Sequence, residues 1–169
     1  MYNEGSITNC FHVSNAEGNM ENATMGKVLV RAKIENLEDL FAVHKGLIKP
    51  EEVRSVEVTD ALVDTGASTL LMPKRLIAQL GLRYLRTRPG RGLGGSVSIP
   101  MHSLVRLTIE GRDCPLEVGE IDDQFPVLIG QIPLEMMDWV VDPIGQRLIG
   151  NPAHGGEQVI EVFGDDYTR

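Results

Sequence analysis

Polar and apolar residues alternate along residues 25–34, with Val28, Val30, Ala32 and Ile34 on one face. A period of two marks a β-strand with one buried side. Residues 55–63 predict a second strand, which alternates at Val56 and Val58 and then turns wholly apolar at Ala61, Leu62 and Val63, as a strand entering a core does. Between them, residues 35–54 read as a charged insertion with a short helix over 37–43 and a break at Pro50. Pro73 near a helix start and Gly81 just past its end predict a short helix over residues 74–80. Residues 88–96 are dense in Gly and Pro and precede a new alternating run, Val97, Ile99 and Met101, that leads into a strand over 104–109. Glu110-Gly111-Arg112-Asp113 has the chemistry of a hairpin turn, with a return strand over 114–118. Residues 127–130 predict a short buried strand, 133–138 a short helix, and 139–141 with 146–149 a hairpin around Asp142-Pro143-Ile144-Gly145. Many short strands with two brief helices indicate a small all-β barrel or sandwich.

Composition narrows the class. A chain of 169 residues has room for one ordinary domain, and 42% hydrophobic residues suffice for a buried core. The polar, glycine-rich residues 1–24 read as a flexible leader without the apolar run of a signal peptide, residues 25–152 as the folded domain, and 153–169 as a tail. A net charge of −8 argues against nucleic acid as partner, because such affinity comes from Lys and Arg neutralising phosphates. No stretch approaches the ~20 apolar residues of a membrane helix, so no membrane partner is expected and the protein reads as soluble and cytoplasmic. Cys10 and Cys114 lie far apart and predict free thiols. His12, His44, His102 and His154 are scattered singly, which predicts surface residues rather than ligands. No metal site and no cofactor is expected.

The chemistry concentrates at Leu62-Val63-Asp64-Thr65-Gly66-Ala67, where an acidic side chain ends an apolar strand and a turn follows at once. A carboxylate in such a setting is costly unless it is hydrogen-bonded or shares a proton. An Asp that merely caps its own turn is the plainer reading of this triplet taken alone. It does not stand alone: Gly92-Leu93-Gly94-Gly95 and then Val127-Leu128-Ile129-Gly130 follow in the chain. In this order the three motifs closely resemble the active-site loop, glycine-rich flap and second signature of the retropepsins, the single-domain aspartic peptidases of retroviruses and their cellular and bacterial relatives.

The resemblance implies an all-β fold, a small closed β-barrel of the retropepsin type with one or two short helices. It implies an aspartic endopeptidase acting on peptide or protein substrates. Water activation needs a base and a partner acid, and the chain has a single Asp-Thr-Gly, so a homodimer with one Asp64 from each copy is expected. By resemblance, Thr65 interlocks with its counterpart across the dimer axis, and Gly66 lets the substrate backbone approach, with Ala67 following it in the loop. Gly92, Gly94 and Gly95 give the flap its freedom, with Leu93 at its tip. Leu62, Phe125, Pro126 and Leu128 are expected to line apolar substrate pockets. Two positions depart from the viral pattern: an acidic residue and its partnering Arg are replaced by Ser68 and Gln131, which a hydrogen bond could join instead. A non-catalytic module of the same fold, serving dimerisation or peptide binding, is the alternative.

Overall fold

The computed structural model of the chain describes residues 26–92 and 94–160. The residues assigned to the leader therefore lie outside the described part, as do Cys10, Leu93 and the end of the tail. In chain order the elements are β1 (Val28–Asn36), α1 (Leu37–His44), β2 (Ser55–Val63), β3 (Leu70–Pro73), α2 (Lys74–Leu80), β4 (Tyr84–Gly92) and β5 (Gly95–Ile109). They continue with β6 (Arg112–Ile121), β7 (Leu128–Ile129), α3 (Gln131–Met136), β8 (Trp139–Asp142) and β9 (Arg147–Gly150), and short 3-10 turns lie at Pro50–Glu52 and Pro152–His154. The protein is mostly β-sheet, as expected, with three short α-helices among the described residues rather than one or two.

Seven strands form one sheet in the order β1-β2-β7-β3-β6-β5-β4, and a further pairing of β1 with β5 brings the sheet round on itself as a ring. Of these seven strands β4 alone stands outside that ring. The sequence explains the curvature. In β1 the alternation sends Val28, Val30, Ala32 and Ile34 inward, while β5 changes role along its length. Its first residues are exposed, whereas Val105, Leu107 and Ile109 are fully buried, and the pairing with β6 shifts register between His102 and Val105. Such a bulge bends a strand and increases its twist. One strand thus supplies both a projecting arm and a wall of the ring.

The core inside the ring includes Leu70, Met72, Leu80, Ile129, Leu134 and Met137, each at most 1% exposed. Complete burial of such a side chain stabilises by about 1.5–3 kcal/mol relative to leaving it in water. The segment read as an insertion is tied into this body. Buried Asn36 caps α1, its Oδ1 accepting from Glu38 N at 2.9 Å and Asp39 N at 3.2 Å, while its Nδ2 donates to Leu80 O at 2.9 Å. Arg54 grips Asp39 with Nε on Oδ2 and Nη2 on Oδ1, both at 2.7 Å, and that hydrogen bonding holds the Asp39 carboxyl below its usual range. Cys114 is a buried free thiol, pushed up to about 11 by burial and then by neighbouring Asp113, so it is a packing residue and not a nucleophile. No helix among the described residues is long and apolar enough to cross a membrane.

Strands β8 and β9 form a second, two-stranded sheet. The Arg112 guanidinium lies 4.1 Å from the Trp139 ring centre and donates to Met137 O and Asp138 O at 2.9 and 2.7 Å. Asp138 gathers the chain beyond β9: its Oδ2 meets His154 Nδ1 at 2.6 Å and Val159 N at 3.1 Å, and its Oδ1 accepts from Asn151 Nδ2 at 2.9 Å. The His154 hydrogen bond above all lowers the Asp138 carboxyl to about 2. A depressed carboxylate contributes stability in full above its unfolded value near ~4 and loses it as pH falls through the folded value. The contacts of residues 151–159 are therefore expected to hold at pH 4.5 and to release between about pH 4 and 2. Hydrogen exchange reads this as a loss of protection at the Val159 amide while core amides such as that of Asp64 stay protected. Equal Val159 protection at both ends of that range would contradict it.

Candidate active site

Strand β2 ends in buried Ala61 followed by half-buried Leu62, Val63 and Asp64. Beside it runs β7 in parallel, pairing Leu62 with Leu128 and Val63 with Ile129, and β7 in turn pairs antiparallel with β3. Residues 64–69 must therefore pass over the end of β7 to travel from β2 to β3. Backbone hydrogen bonds pin this crossing: Asp64 N to Ile129 O at 2.9 Å, Gly130 N to Thr69 O at 3.1 Å, Gln131 N to Ala67 O at 2.9 Å and Ile132 N to Ser68 O at 3.0 Å. The loop closes on itself through Ala67 N to Asp64 O at 3.0 Å. Gly130 makes the crossing possible, because a β-carbon there would sit 2.5 Å from Thr69 O and 2.6 Å from Ala67 O.

Within this frame the Asp64 Oδ1 accepts from Gly66 N at 2.9 Å. Among the described residues its Oδ2 takes no hydrogen bond and its carboxylate joins no ion pair. One oxygen is thus held and the other is not. Thr65 and Gly66 are exposed beside it, and Ala67 is half-buried. The hydrogen bond suggested between Ser68 and Gln131 is not formed: Gln131 Nε2 donates instead to Glu135 Oε1 at 2.8 Å along α3. Backbone bonds join the two segments in its place.

Opposite the loop stands the β4–β5 hairpin. Its pairing runs from Arg86 with Met101 through Arg88 with Ile99 to Gly92 with Gly95. Gly95 has φ 109°, a region in which a residue with a β-carbon is strained. Gly94 does not have a positive φ, and a β-carbon there would meet nothing within 4 Å. The conformational demand of the glycine run therefore falls on Gly95, not on Gly94.

Between loop and hairpin lies a cavity of about 510 Å³. Gly66, Ala67, Ser68 and Thr69 form one wall, and residues 88–91 the other. Leu71, Ile99, Met101 and Ile132 supply its apolar surface, with Glu117 at the edge. Two glycines shape that surface: a β-carbon on Gly119 would fall 2.5 Å from Leu71 Cδ2, and one on Gly90 would fall 2.6 Å from Ile99 Cδ1. Leu62, Phe125, Pro126 and Leu128 do not line this cavity. Leu62 and Leu128 face each other as partners in β2 and β7, and Phe125 is 47% exposed. Leu71 escaped sequence reasoning because it lies in β3, a strand whose apolar residues read as the approach to a helix. Ile99 and Met101 could have been found from their place in the alternating run after the glycines.

His102 is buried, not on the surface, with Nε2 2.9 Å from Glu120 Oε2 and its ring edge-on to Tyr84. No group of three or more His, Cys, Asp or Glu side chains among the described residues is placed to hold a metal ion.

The model of an aspartyl protease family matches residues 51–131, from the approach to β2 through the Asp64 loop and both arms of the hairpin to the first residue of α3. No curated protein matches the chain. The matched family is an aspartyl protease family of the retropepsin-like clan, whose motifs the Asp64 loop resembles.

Proposed function

We infer that the protein is an aspartic endopeptidase in which two copies of the chain bring their Asp64 side chains together. The observation that carries this reading is the Asp64 carboxylate, with one oxygen held by Gly66 N and the other unengaged, on a pinned loop facing a cavity under a hairpin. A single carboxylate cannot act as base and acid at once. With Asp64 of the partner subunit, one carboxylate takes a proton from water while the protonated carboxyl donates to the scissile carbonyl oxygen. The water oxygen bonds to the carbonyl carbon, giving a neutral tetrahedral diol. Proton transfer to the amine nitrogen then lets the C–N bond break, leaving a carboxylic acid and an amine.

The exposed Thr65 and Gly66 suit an interface about a two-fold axis, where the same surface of each copy meets itself. Leu62 and Leu128, paired between β2 and β7, and Phe125 and Pro126, which precede β7, are proposed to reach substrate from the partner's side of the cleft. Activity per chain is then expected to fall on dilution along the curve of dimer dissociation, followed by light scattering and peptide cleavage at the same concentrations. A monomer that cleaves at full specific activity would overturn the shared site.

A further inference from the structure

The cavity between the Asp64 loop and the hairpin has an uneven charge. Three arginines lie on β4 near it: Arg86, Arg88 and Arg91. Arg86 is neutralised by an ion pair with Glu117. Arg88 and Arg91 are exposed and line the cavity, and among the described residues neither forms an ion pair or a side-chain hydrogen bond. Two uncompensated guanidinium groups at one cleft stand out in a chain of net charge −8. They lie on either side of Gly90, whose missing side chain makes room for Ile99, and the cavity they line also has the apolar residues Leu71, Ile99, Met101 and Ile132.

We propose that this cleft selects peptides in which an acidic side chain neighbours the apolar residue it buries, with Arg88 and Arg91 as the specificity-determining residues. The proposal rests on the peptidase reading above and names its substrate class. An apolar floor buries an aliphatic or aromatic side chain, while a guanidinium fork matches a carboxylate in charge and geometry. The apolar floor and the acidic remainder of the molecule favour such a peptide over a nucleic-acid strand, which a basic surface attracts through its phosphates.

The test uses the full chain at a concentration where it is dimeric and three peptides that differ only in Glu, Gln or Lys beside the cleaved apolar residue. Exposed charge pairs contribute modestly, so two arginines are expected to favour Glu over Gln by about tenfold in kcat/KM, with Lys the poorest. The Glu/Gln ratio should shrink in 1 M salt, where charges are screened within about 3 Å. In the double variant Arg88→Gln/Arg91→Gln the ratio should approach one, and in Arg88→Glu/Arg91→Glu the Lys peptide should become the preferred one. Binding of the same peptides to the Asp64→Asn protein, read by fluorescence anisotropy, separates specificity from catalysis. The same ranking in binding without any cleavage by the unaltered chain would leave the specificity standing and remove the peptidase. Cleavage of all three peptides at equal kcat/KM would remove the specificity alone, as would an acid preference that survives both double variants. Neither cleavage nor binding would remove both.

Discussion

Replacing Asp64 with Asn is expected to reduce peptide cleavage by roughly 10²–10⁴-fold or more, the range that general acid–base groups contribute. Folding should survive, because the Asn side-chain oxygen can still accept from Gly66 N and the backbone bonds of the loop do not involve the side chain. The variant dimer should be at least as stable as the original near neutral pH, where like charges on the two loops repel. The unaltered protein should show a bell-shaped pH dependence. Two carboxylates in contact share one proton and lose their protons in two steps, and aspartic peptidases are the standard case. Below the lower step both carboxyls are protonated and no base remains. Above the upper step both are ionised and no acid remains. Activity should peak on the acid side of neutrality, and inhibitors that mimic the tetrahedral diol should bind far less tightly to Asp64→Asn. Cleavage by Asp64→Asn at the original rate would end the mechanism, and so would loss of activity on adding a metal chelator.

How far the sequence speaks for the fold varies with the physics of each element. Strand β2 and helix α2 have the bounds read from the sequence, because alternation and the Pro73 and Gly81 boundaries are local signals. Strand β3 went unread. Leu70 and Met72 are wholly buried, but the strand has only four residues, and its partners β6 and β7 arrive much later in the chain. Strand β4 has almost no buried face, so its residues carry no hydrophobic period at all. Pairing with β5 holds it in place, and that is a property of the hairpin, not of the segment. His102 was misjudged for a similar reason: its Glu120 partner lies on the neighbouring strand, and the register shift after it places Met101, His102 and Ser103 all in buried positions. At the site, Asp64 and its loop were legible as a motif. The cavity floor was not, because it combines side chains from separate strands over glycines whose importance lies in the space around them.

Gly130 is the glycine of the site whose neighbours are all backbone atoms, and Gly130→Ala is expected to be the most disruptive single-methyl change at the Asp64 loop. Its φ of −84° is open to any residue, so the demand is steric and not conformational. The added carbon would meet Thr69 O at 2.5 Å, Ala67 O at 2.6 Å and Thr69 N at 2.7 Å. All three are backbone atoms of a loop held by hydrogen bonds to residues 130 and 131, so no side-chain rotation relieves the contact. Overpacking of this kind costs about 1–3 kcal/mol and can exceed that range where the backbone cannot move. For a domain of this size each kcal/mol lowers Tm by roughly 2–8 °C, so a loss of about 10 °C is a reasonable scale. The relief available is displacement of residues 67–69, which would carry Asp64 off its position. A shift near 1 Å in reacting groups costs on the order of 10²-fold in rate, so activity should fall well below that of the original chain even where the variant is folded. Gly94→Ala is the control, since nothing lies within 4 Å of the added carbon and the φ there is not positive. It is expected to change stability by no more than about 0.5 kcal/mol. Thermal unfolding and kcat/KM of both variants decide the matter. A Gly130→Ala protein with unchanged Tm and unchanged cleavage would show that the crossing over β7 is looser than its contacts imply, and that Asp64 is not held by it.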